Sequence, residues 1–82
     1  MENAQIENLL KETLPLDEVK VTSEGTHFSV LAVGECFDGV SRVKKQQLVY
    51  APLKELIADG TMHAVSIKAF TPSEWQREKN FN

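Results

Sequence analysis

His63, His27 and Cys36 are the side chains of this 82-residue chain best suited to hold a metal or attack an electrophile, and Arg42, Lys44 and Lys45 are its concentrated cations. His63 follows the turn sequence Asp59-Gly60-Thr61-Met62 and opens a run to Phe70 in which Val65, Ile67 and Ala69 alternate with Ser66 and Lys68. That alternation predicts a strand whose first residue, His63, shares the apolar side. A histidine there serves either as a structural hydrogen-bonding group or as a ligand or proton-transfer group. His27 faces the same choice. Neither has a Cys or an acid at a recognised metal spacing, so a metal held by His63 must draw ligands from elsewhere in the fold or from another molecule. Cys36 is the single cysteine, which excludes an internal disulfide and a CxxC pair. At the end of an apolar run it reads as a small buried hydrophobe rather than a reactive thiol.

The cations follow Phe37-Asp38-Gly39 and Ser41, a turn and an N-cap, and so fall in the first turn of a helix. A helix N-terminus carries a partial positive charge, so each cation there costs about 0.3–1 kcal/mol. One reason for accepting that cost is solubility, since long Lys and Arg stems reach away from the dipole. The other is an anionic partner. Phosphate suits the free backbone N–H groups of a helix start, and an acidic protein surface fits equally well. The charge distribution bears on this choice. Residues 1–40 hold two Lys against eight acids, a net −6, and residues 41–82 hold seven Lys or Arg against four acids, a net +3. A DNA-binding regulator would place Arg42, Lys44, Lys45 and Lys68 on phosphates, but an overall charge of −3 argues against tight nonspecific nucleic-acid binding.

The elements that must position these groups follow from periodicity. Ile6, Leu9, Leu10 and Leu14 recur at helical spacing over 2–13, and Pro15 ends the pattern. Glu18 to Thr22 alternates around Val19 and Val21, Ser23-Glu24-Gly25-Thr26 is a turn, and a second strand runs from His27 to Gly34. That strand has apolar residues in both phases, as expected of a central strand. From Arg42 a helix carries Val49, Leu53, Leu56 and Ile57 inward, with a kink or break near Tyr50 because Pro52 lacks an N–H. Thr71-Pro72-Ser73-Glu74 supplies a cap, a first-turn proline and a capping-box acid for a last helix through Trp75 to Lys79. The order helix, strand, strand, split helix, strand, helix predicts one α+β domain over residues 1–82 with helices packed on a three-stranded sheet. Hydrophobic content of 41% suits a soluble domain. No apolar window is long enough to span a membrane and no signal-peptide pattern opens the chain, so a cytoplasmic protein without membrane contact is expected. Phosphate-binding loops, HExxH and Ser/His/Asp signatures are lacking, and the acids are spread over helix surfaces; no enzyme activity is expected.

The run from Val33 to Gln47, VGECFDGVSRVKKQQ, together with MHAVSIKAFTPSEW from Met62 to Trp75, resembles the BolA family, and the similarity extends from Glu2 to about Lys79. The resemblance implies a class II KH-like α+β domain and a partnership with a monothiol glutaredoxin. In such pairs a 2Fe-2S cluster is held by a glutaredoxin thiolate, a glutathione thiolate and a BolA histidine, which corresponds to His63. None is implied for the isolated protein, which would be a monomer or a weak dimer. Where other members carry a further Cys or His ligand in the loop between the first two strands, this chain has Ser23-Glu24-Gly25-Thr26, which leaves His27, at its edge, as a second candidate. Cys36 lies beyond the second strand and takes no ligand role. In this setting Arg42, Lys44 and Lys45 become a docking rim for partner acids or glutathione carboxylates. Family members are linked to stress responses, acid stress in one branch, and longer ones to DNA binding and transcription. The GxxG loop of nucleic-acid-binding KH domains does not occur here.

Overall fold

The computed structural model describes residues 2–80; Met1, Phe81 and Asn82, part of the expected 1–82 domain, lie outside the described residues. Helix α1 (Asn3–Thr13) buries Ile6 and Leu10 completely, and Leu14 turns extended ahead of Pro15, where the proline ring disfavours helical backbone. Strands β1 (Glu18–Glu24) and β2 (His27–Val33) form an antiparallel hairpin in which Glu24 faces His27. The hairpin is tighter than the expected Ser23–Thr26 turn. Gly25, at a φ of +65°, accepts a left-handed conformation that lets β1 pair two residues further.

The chain then crosses over to β3 (Ala64–Phe70), which runs parallel to β2 and gives the order β1-β2-β3 with β2 central. The crossover contains a 3-10 turn at Glu35–Phe37, helix α2 (Arg42–Tyr50), a second 3-10 turn at Ala51–Leu53 and helix α3 (Lys54–Ala58). The break after Tyr50 is the one Pro52 imposes. Helix α4 (Pro72–Asn80) is the last element of the described residues. Its capping box is formed: Glu74 N–H donates to Thr71 Oγ1 at 3.2 Å and Thr71 N–H to Glu74 Oε1 at 2.8 Å.

Register explains the layers. Val19, Ala32 and Ala69 lie side by side across the sheet, as do Val21, Val30 and Ile67. This face meets Ile6, Leu10, Phe37, Val49, Leu53 and Met62 in one core. Fully burying each such side chain contributes about 1.5–3 kcal/mol. The opposite face presents the rows Lys20–Leu31–Lys68 and Thr22–Ser29–Ser66, and α4 closes one end of it by setting Trp75 against Phe70 with ring centroids 5.6 Å apart.

A candidate partner-binding site

The strand begins one residue later than the alternation predicts, at Ala64, and His63 is exposed in a bend before it rather than on the apolar side. The loop that delivers it is tightly held. Asp59 caps the main chain by accepting Thr61 N–H at 2.9 Å, and hydrogen bonds from Thr61 hold its carboxyl below the ordinary range. Met62, expected in a turn, is fully buried and its N–H donates to Leu56 C=O at 3.1 Å. The inward methionine forces its neighbour outward. His63 N–H donates to Thr26 C=O at 2.9 Å, so its main chain is fixed against the β1–β2 turn. Its imidazole has no hydrogen-bond or ion-pair partner among the described residues.

His27, also exposed, pairs with Ala64 and therefore stands at the same end of the sheet as His63. Cys36 does not. It follows β2, at the far end of a strand that spans about 20 Å at roughly 3.3 Å per residue. There it packs against the core, and burial, with a smaller contribution from the Asp17 charge, pushes its thiol pKa up. Among the described residues no group of three His, Cys, Asp or Glu side chains could hold a metal ion.

The helix start is built as its sequence suggests, with Ser41 Oγ accepting Lys44 N–H at 3.2 Å, but its cations differ in environment. Arg42 and Lys44 are exposed and unpaired among the described residues. Lys45 lies back on the fold, 15% exposed, with Nζ 3.1 Å from Glu74 Oε1. The Glu74 carboxyl is held below the ordinary range, first by Thr71 N–H and then by Lys45. Arg42, Lys45 and Lys68 line one cavity of about 470 Å³ beside β3. This cluster sits at the Phe70 end of β3 and His63 precedes the other end, so the structure does not merge them into one site. Sequence reasoning missed Gln46, whose side-chain amide donates to Ile67 C=O at 2.8 Å; its position three residues before Val49, at the margin of the buried stripe, was the available signal. No helix of the described residues is long and apolar enough to cross a membrane.

Comparison with known proteins converges on one family. The chain is 60% identical over 82 residues to the acid stress protein IbaG of Escherichia coli K12, covering all of this chain and 98% of that one. Its fold matches BolA1 from Arabidopsis thaliana (TM-score 0.79, 32% identity, 90% of this chain and 98% of the other) and the solution structure of mouse BolA1 (0.82, 30%, 94% and 70%). The family model for BolA-like proteins matches residues 5–74, which contain His27, His63 and the whole sheet, and this protein therefore belongs to the BolA-like family.

Proposed function

We propose that this chain is a noncatalytic BolA-like adaptor that pairs with a monothiol glutaredoxin, contributes His63 to a 2Fe-2S cluster shared with that partner and glutathione, and serves iron–sulfur trafficking or sensing in the acid stress response. The observation that carries the reading is the presentation of His63: an exposed imidazole without an internal partner, on a main chain fixed by Thr26 and by buried Met62. The donor set fits a shared group and not a resident one, because the fold offers a histidine or two at one sheet end and no complete ligand set among the described residues. The acid stress assignment rests on the similarity to IbaG.

In this arrangement His63 supplies a neutral nitrogen donor from a rigid loop, His27 stands beside it as a second donor, and the thiolates come from the partner. A bound cluster supplies one-electron chemistry, and imidazole in place of thiolate lowers its negative charge and raises its potential. The test mixes the protein with a cluster-loaded monothiol glutaredoxin and records visible absorption and circular dichroism. The wild-type spectrum is expected to depart from that of glutaredoxin alone, and the His63→Ala mixture to lose that change. Identical wild-type and His63→Ala spectra would remove His63 as ligand.

A nucleic-acid reading rests on Arg42, Lys45 and Lys68 around one cavity, and it ranks second because the Lys45 charge is already satisfied by Glu74. Genuine phosphate contacts would give a log–log salt slope of about −0.9 per contact on duplex DNA. Absence of binding at low salt would eliminate it.

A further inference from the structure

Among the described residues neither edge of the sheet carries a fourth strand, and each is met by one helix side chain. At β1 the Glu7 carboxylate accepts Val21 N–H at 2.8 Å; at β3 the Gln46 amide donates to Ile67 C=O at 2.8 Å. These plugs are unequal, since a bond to a charged acceptor is roughly twice as strong as one between neutral groups. The β3 edge is the weaker one.

The direction of its free groups follows from the hydrogen bonds between β2 and β3. Phe70 C=O accepts from Gly34 N–H and Ala64 N–H donates to Thr26, which turns the even-numbered residues toward β2. Successive residues alternate, so Val65, Ile67 and Ala69 aim their N–H and C=O groups outward. Among the described residues only the Ile67 carbonyl of that row has a partner. Two cavities lie along the same edge, about 450 Å³ against Val65 and Ile67 and about 470 Å³ against Ile67 to Phe70, and Gln46 lines both. The Gln46–Ile67 hydrogen bond is thus a partition within one trough. The Val65 end is mainly apolar, with Tyr50 and Lys54 beside it, and the other end is more polar, lined by Arg42, Lys45 and Lys68 together with Glu74 and Glu78.

We propose that the free edge of β3 docks an extended acidic segment of a partner protein, which adds as a fourth strand and displaces the Gln46 amide from Ile67. The alternating donors and acceptors call for an extended peptide main chain, as in strand addition to other sheet edges, and phosphates cannot satisfy both kinds. Val65 to Ala69 spans about 13 Å, room for roughly five partner residues. Lys54 at one end, and Arg42, Lys45 and Lys68 against Glu74 and Glu78 at the other, leave the lining net positive, which calls for Asp or Glu in that segment. The proposal does not depend on the role given to His63, which lies outside the trough's lining.

The test uses the isotope-labelled full chain and an acetylated seven-residue peptide alternating Glu and Val, with a Lys-for-Glu peptide and an eight-nucleotide oligothymidylate as alternatives. At saturation the acidic peptide is expected to slow amide exchange of Val65, Ile67 and Ala69 by about tenfold or more. Gln46→Ala, at a helical position where alanine is favourable, leaves the Ile67 carbonyl open and should tighten binding by about 2- to 10-fold. Arg42→Glu with Lys68→Glu should weaken it by about tenfold. No protection at millimolar peptide, equal binding of the Lys peptide, or unchanged affinity in Gln46→Ala would overturn the proposal. So would a response to the oligonucleotide alone, or edge protection that rises with protein concentration without peptide, which would assign the trough to nucleic acid or to self-association.

Discussion

Adjacent lysines at the start of α2 are expected to act with opposite sign on stability. Lys44 is exposed, unpaired among the described residues, and sits at the positive end of the helix, so Lys44→Ala relieves about 0.5 kcal/mol of dipole repulsion. Lys45 is 15% exposed and bonded to Glu74. Its removal forfeits a partly screened ion pair, about 0.5–1 kcal/mol, and about 0.5–1 kcal/mol of stem packing, against the same dipole relief of about 0.5 kcal/mol. The net loss is about 1 kcal/mol. For a domain of this size about 1 kcal/mol corresponds to roughly 4–8 °C. Lys44→Ala should therefore raise Tm by about 2–4 °C and Lys45→Ala lower it by about 4–8 °C. Thermal unfolding followed by far-UV circular dichroism at pH 7 and low salt measures both, and the gap should narrow in about 1 M NaCl as the charge effects are screened. A cycle with Glu74→Gln should give a coupling of about 0.5–1 kcal/mol for Lys45 and none for Lys44. Shifts of the same sign for both lysines, or zero coupling between Lys45 and Glu74, would refute the reasoning.

Acid should act on the same link. A carboxyl depressed below its ordinary value of 4.5 stabilises the fold fully above that value, and the contribution is lost as pH falls through the lower folded-state value. Between about pH 5 and pH 3, wild type should consequently lose Tm faster than Glu74→Gln; parallel curves would contradict this. At Gly34 a Cβ would meet Pro15 O at 3.0 Å, Leu16 Cδ2 at 3.2 Å and Cys36 Sγ at 3.3 Å, so Gly34→Ala is expected to lose about 1–3 kcal/mol in urea unfolding. Because burial raises the Cys36 thiol pKa, iodoacetamide at about pH 8 should alkylate the folded protein about tenfold more slowly than the urea-unfolded chain; equal rates would show an accessible thiol.

Patterns local to a few turns were readable in the chain. The apolar spacing of α1, the central character of β2, the break forced by Pro52 and the Thr71–Glu74 capping box each depend on residues within about one helical turn or one strand, and each appears in the fold. What escaped reading depends on distant partners. Met62 looks like part of a turn until α3 is folded over it, and its burial is what turns His63 outward instead of onto the apolar side. Lys45 looks like its neighbours until Glu74, 29 residues on, reaches it. The family resemblance supplied the fold name and the ligand role expected of His63; the physical reading of the residues singled that histidine out but left it between a structural and a ligand role.

Thr26 C=O receives the N–H of His63 at 2.9 Å and that of Ala64 at 3.4 Å, so a single carbonyl in the hairpin fastens the main chain on which the exposed imidazole is carried. Whatever this ring engages, the order to be imposed on binding is confined to rotation about two side-chain bonds, well below the roughly 1–2 kcal/mol per residue of fixing a floppy backbone. A loop of this kind behaves as a preset pin, and a change in the length of the β1–β2 turn would re-aim the histidine without touching it.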